Sequence, residues 1–186
     1  MLTAVVNDHR LRVLLAHTPA ATLVHIAQEF GLPRVPGLSQ TQWVERLLAA
    51  VPHDKLYDSL IALRYGVFGL DELLNKLLDG IPYNKVPISR PRMDRIDPQA
   101  VVVVAHTTTR WAFTMRGHDV LLDVRTHQLG CDCRHFEFAS RYGAICKHIA
   151  TAFRVIPAAY ARAAIIDLLI EREFGPAERS WAFLAL

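Results

Sequence analysis

Cysteine is scarce in this chain of 186 residues: it occurs at positions 131, 133 and 146 and nowhere else. So small and odd a count argues against a disulfide-stapled scaffold. One thiol would be left over, and a bridge between positions 131 and 133 would be strained. Long apolar runs are missing too. The most apolar stretch, 155–170, is interrupted by Pro157, Arg162 and Asp167, so nothing reaches the ~18 uncharged residues that read as a membrane span. No basic segment leads into an apolar core at the start of the chain, and no signal peptide is expected. There is no glycine-rich phosphate loop, no G-x-S-x-G and no recognisable pair of catalytic carboxylates. An enzyme is therefore not expected. Strong charge of one sign is also lacking, the net charge being +3. It is unevenly placed. Residues 1–80 hold seven Lys/Arg against eight Asp/Glu, and residues 81–186 hold fourteen against ten. The balance of the second part is a mild electrostatic hint toward nucleic acid.

What cysteine there is lies in two tight pairs closed by a histidine: Cys131-Asp132-Cys133, twelve residues, then Cys146-Lys147-His148. Three thiols and one imidazole are a ligand set for a closed, tetrahedral zinc site. Two ligands one residue apart share a metal only if their side chains point the same way. In extended backbone, residues i and i+2 do so. Cys131 and Cys133 therefore suit the end of a strand or a knuckle after it, with Asp132 turned away. On a helix, i and i+2 do not face each other, so Cys146 should precede a helix that carries His148 in its first turn. Ile145, Ile149, Phe153 and Ile156 recur at helical spacing, and Pro157 ends the run. Buried, inert thiols are the plain alternative, and His135 is the competing fourth ligand. Reduced, metal-binding cysteines suit a reducing compartment, so the expected location is cytoplasmic, or nuclear in a eukaryote.

The rest of the chain reads as an α+β protein. Short helices are expected from Asp8 to Ala16, after Thr18-Pro19 to Gly31, after the Ser39/Gln42 capping box, from Asp54 to Gly66 with Leu56, Leu60 and Leu63 inward, and from Asp71 to Gly80. Together they make a small helical bundle over 1–80. Residues 81–99 hold Pro82, Pro87, Pro91 and Pro98 among Lys85, Arg90, Arg92 and Arg95, which reads as a basic linker. The period then becomes two. A valine run at 100–105 suits a buried strand, Trp111, Phe113 and Met115 alternate with Ala112 and Thr114, and Val120, Leu122 and Val124 follow a turn at Gly117-His118. Three antiparallel strands are expected to lead into Cys131. A last helix over 158–174 has an apolar side suited to a core or to a protein partner.

The quartet C-x-C…C-x-H, with strands before it, Phe136 soon after and an apolar helix beyond His148, resembles the SWIM-type zinc finger over residues 100–157. The resemblance implies a ββα zinc module with one structural Zn²⁺ held by Cys131, Cys133, Cys146 and His148. It also implies binding to nucleic acid, DNA being favoured, or to protein, in recombination, repair, transposition or transcription. The candidate phosphate contacts are Arg134, Arg141, Lys147 and Arg154 on the module and Lys85, Arg90, Arg92 and Arg95 in the linker. Residues 158–186 would then form a C-terminal helix and tail. Separately, residues 21–51 resemble a SAP- or Rho-N-like helical hairpin, although its second helix starts with the uncharged Ser39-Gln40-Thr41-Gln42. The competing function is a non-catalytic adaptor whose zinc is purely structural.

Overall fold

The computed structural model describes residues 8–79, 97–175 and 181–186. The linker cations Lys85, Arg90, Arg92 and Arg95 lie outside the described residues. The chain divides into two units, Met1–Val67 and Phe68–Leu186.

The first unit holds α1 (Asp8–Ala16), α2 (Ala20–Glu29), α3 (Gln40–Ala50) and α4 (His53–Tyr65). Its helices are too short to persist alone, and they bury one side each: Leu11, Leu14 and Leu15 of α1, Leu23 and Ile26 of α2, Leu47 of α3, and Leu56 and Leu60 of α4. Gly31, at φ 75°, takes the left-handed turn that ends α2. The capping box is formed: Gln42 N donates to Ser39 Oγ at 3.3 Å, and Ser39 N donates to Gln42 Oε1 at 2.8 Å. Gln40 Nε2 donates to the carbonyls of Ala16 and Thr18, tying the start of α3 to the α1–α2 connection. Leu63 differs from its expected inward position and is 46% exposed. The last turn of α4 runs to the rim of a groove beside Thr18, Pro19 and Thr22, where no described residue covers it fully.

The second unit begins one helix earlier than a boundary at residue 80 would put it, because α5 (Leu70–Leu78) packs against α8 (Ala158–Phe174). Arg162 and Arg172 of α8 donate to the carbonyls of Phe68 and Leu77 at the two ends of α5. The sheet has five strands, not three. They are β1 (Val102–His106), β2 (Arg110–Met115), β3 (His118–Asp123), β4 (Gln128–Cys131) and β5 (Ala182–Leu184), in spatial order β1-β2-β3-β4-β5. The first four are antiparallel neighbours, and β5 lies parallel to β4. Two strands escaped the sequence reading for local reasons. β4 is four residues long and holds Gly130, so it shows no alternation. β5 is paired from the far end of the chain. The β2–β3 turn is also one residue earlier than expected. Met115 pairs with His118, leaving Arg116 and Gly117 at φ 51° and 74°, and two successive positive φ values are what a type I′ turn requires.

One face of the sheet is apolar: Trp111, Phe113, Val120, Leu122, Leu129 and Cys131 are all buried. α7 (Lys147–Val155) packs on β3 and β4 and against α8, whose Tyr160 meets Trp111 of β2 edge-on at 5.6 Å. The valine run is a correction: Val102, Val103 and Val104 are 60%, 44% and 63% exposed. β1 is an edge strand, its pairing with β2 shifts register between Val103 and Ala105, and it lies beyond the described helices that cover β3 and β4.

Candidate metal centre

Each half of the ligand quartet is placed by the end of one element and the start of another. Cys131 is the last residue of β4 and pairs with Val120, so its side chain shares the face that carries Val120 and Phe113. Cys133 is the N-cap of α6 (Arg134–Ala139), a short helix that the sequence reading did not foresee. Its sulfur accepts a hydrogen bond from Phe136 N at 3.3 Å. Cys146 is the N-cap of α7, and His148 is the second residue of that helix. The reading of strand end, then knuckle, then helix start thus matches the backbone. The reason is geometric: neither i, i+2 pair can converge from within a helix.

The four ligand atoms lie within 4.8 Å of one another. Cys131 Sγ and His148 Nδ1 are 3.7 Å apart, close to the roughly 3.5 Å spacing expected of sulfur and nitrogen at tetrahedral corners around zinc. All four residues are buried. His135, half-buried on α6, is not among the converging groups.

The thiols shape one another's acidity. The hydrogen bond to Cys133 pushes the Cys131 thiol up to about 12. That bond, joined by one from Cys146, holds Cys133 far below the usual thiol range. Burial raises Cys146 well above it. Burial and mutual repulsion thus oppose ionising the three thiols together. Ionising all three needs a compensating dication, and a soft set of three sulfurs and one imidazole selects zinc among the common divalent ions. The cluster is compatible with one structural zinc ion, and its four protein ligands leave no open position for catalysis.

A second layer was not read from the sequence. His118, assigned there to a turn, opens β3. Its Nδ1 lies 2.8 Å from Asp132 Oδ1, and its ring stands 4.5 Å from the His148 ring. Asp132, turned away from the metal, thereby ties the knuckle to the imidazole side of the cluster. Groups hydrogen-bonded to a metal's ligands typically tune its affinity by about 10- to 100-fold; His118 packs on the ring of a ligand instead, which puts its effect at the low end of that range. His118→Ala is expected to speed zinc release to a competing chelator by about tenfold, with the helix and sheet content of the zinc-loaded protein unchanged. An unaltered release rate would show that this clamp does nothing for the metal.

The candidate phosphate contacts separate into two groups. Arg154 is held by Asp71 of α5, at 2.8 Å, with its side chain 23% exposed, so it serves the fold. Arg141 pairs with Glu137 at 3.3 Å and lies over the Phe138 ring, on an exposed surface. Arg134 is exposed and Lys147 half-buried, and neither forms an ion pair among the described residues. In the first unit, α2 and α3 form the expected helical hairpin, but no basic side chain lies at the start of α3. The apolar side of α8 is already covered: Ile165, Leu168 and Leu169 are each 2% exposed or less. No helix among the described residues is long and apolar enough to cross a membrane.

The family model of the SWIM zinc finger matches residues 119–156. That span runs from the second residue of β3 to the residue that caps the end of α7, and it contains all four cluster residues. No curated protein and no solved structure matches the chain.

Proposed function

We propose that this SWIM zinc module makes the chain a non-catalytic nucleic-acid-binding protein, with DNA the favoured ligand, acting in recombination, repair, transposition or transcription. One observation carries the reading. Arg134 and Lys147 each directly follow a cysteine of the cluster, and neither is neutralised by an ion pair among the described residues. Cys133 and Cys146 converge on one point, so the two cations spring from neighbouring backbone positions. In this reading zinc fixes the spacing of phosphate contacts and takes no part in chemistry. The linker residues Lys85, Arg90, Arg92 and Arg95 add further positive charge, and Arg141 does so only by leaving its exposed pair with Glu137. Arg154, already paired with Asp71, does not.

The test is a binding titration of zinc-loaded protein against DNA and RNA at several salt concentrations. With four to six phosphates neutralised, log affinity should fall against log salt with a slope of roughly −3 to −5. Replacing Arg134 and Lys147 together by alanine should weaken binding and flatten the slope by about 1.5 to 2, with zinc content unchanged. An unaltered slope in that variant would place the contacts elsewhere. No binding at low salt would favour the adaptor instead. The exposed valines of β1 support that second reading, because an edge strand can accept an added strand from a partner. Its binding would change little with salt.

A further inference from the structure

The twelve residues between Cys133 and Cys146 do more than span two ligands. They fold into α6, a single 3₁₀ turn at Ser140–Tyr142 and a left-handed reversal at Gly143, φ 62°. The reversal brings the turn close to α8: a Cβ at position 143 would lie 3.7 Å from Arg172 Cγ. Beside it opens a cleft of about 220 Å³. Buried Leu168 and half-buried Phe183 line its apolar part, and Ser140, Arg141, Tyr142, Glu171 and Arg172 line its polar part. Tyr142 is 40% exposed and has no ring or hydrogen-bond partner among the described residues.

The charges beside the cleft are largely answered. Arg141 pairs with Glu137, Arg172 Nη1 donates to the Leu77 carbonyl, and Glu171 Oε2 accepts from Trp181 N. Attraction here would come from the exposed ring and the apolar lining more than from net charge. An exposed tyrosine at the mouth of a small apolar cleft, on the same spacer as Arg134, suits a flat aromatic ring carried by a charged backbone. A base inside a duplex is stacked on its neighbours and cannot enter, whereas an unpaired base can be splayed out and stacked on an aromatic side chain.

We infer that this cleft receives an unpaired nucleobase, with Tyr142 as its stacking platform, so that the ligand of the module is a single strand. The inference rests on the nucleic-acid reading above and narrows it. The experiment uses the zinc-loaded full chain with a labelled mixed-sequence single-stranded oligonucleotide, the matching duplex, and a free nucleoside monophosphate. Tyr142→Ala and Tyr142→Phe are compared with the unaltered chain. The single strand should bind about tenfold or more tighter than the duplex, and both should bind far tighter than the mononucleotide. Tyr142→Ala should weaken single-strand binding by about tenfold, a loss typical of one base-stacking contact. Its salt slope should not change, because no phosphate contact is removed. Tyr142→Phe keeps the ring and should stay within about twofold. Equal affinity for single strand and duplex, an alanine variant that binds normally, or a mononucleotide that binds as tightly as the oligonucleotide would each overturn the inference while leaving nucleic-acid binding in place. Failure of every nucleic acid to bind at low salt would overturn both.

Discussion

Replacing Cys146 by serine is expected to take the zinc content from one ion per chain to none and to unfold the second unit. Cys146 is fully buried, and a serine hydroxyl is a poor zinc ligand in place of a thiolate. Structural zinc contributes about 10–16 kcal/mol in small zinc-finger peptides at neutral pH. A whole domain is stable by only about 5–15 kcal/mol, so loss of the ion is large enough to decide whether this unit folds. Two residues of the cluster cap helices and one ends a strand, so the damage should spread through β3, β4, α6 and α7. The first unit has its own buried side chains, among them Leu11, Leu15, Ile26 and Leu47. Amide hydrogen exchange should show protection kept in α1–α4 and lost in β2–β4 and α7. Protection retained in both units, with zinc absent, would show that the metal is dispensable for folding. Acid should act in the same direction as the mutation. The thiols are deprotonated when they hold the ion, so their stabilising effect is present at neutral pH and is lost as falling pH returns protons to sulfur.

Phe153→Ala is expected to have the next largest effect, destabilising the zinc-loaded protein by about 3–5 kcal/mol. Phe153 is 0% exposed and lies on α7, which packs on β3 and β4 and against α8. It stands away from the four ligands along the helix, so zinc should remain at one per chain under native conditions. Denaturant unfolding with zinc in excess separates this packing loss from metal loss. Phe153→Leu retains most of the apolar volume and should cost a fraction of the alanine value. A loss below about 1 kcal/mol for the alanine variant would mean that the core closes over the cavity, or that α7 contributes little to the stability of the sheet.

Local pattern carried much of this architecture. The limits of α1 and α8, the Ser39/Gln42 capping box and the placing of Cys146 ahead of α7 all follow from rules that act within a few residues. So does the quartet, because an i, i+2 pair of ligands has very few ways to meet a metal. Local pattern misled where burial depends on a distant neighbour. The valines of β1 have the composition of an inner strand, yet they lie exposed on an edge that no described helix covers. Leu63 has the phase of a buried residue, yet it stands past the end of its cover.

By itself, then, the sequence determined the chemistry of the metal cluster and the identity of most helices, since spacing and caps are properties of short segments. Only the tertiary structure decided the rest. The β3–β4 register set Cys131 on the face that meets His148, where a slip of one residue would turn it away. The return of the chain end added β5 beside β4, and α8 drew α5 into the zinc-bearing unit. Long-range pairing also placed His118 against His148 and set Tyr142 beside an open cleft. These are contacts between segments far apart in the chain, and no spacing rule reaches across such a distance.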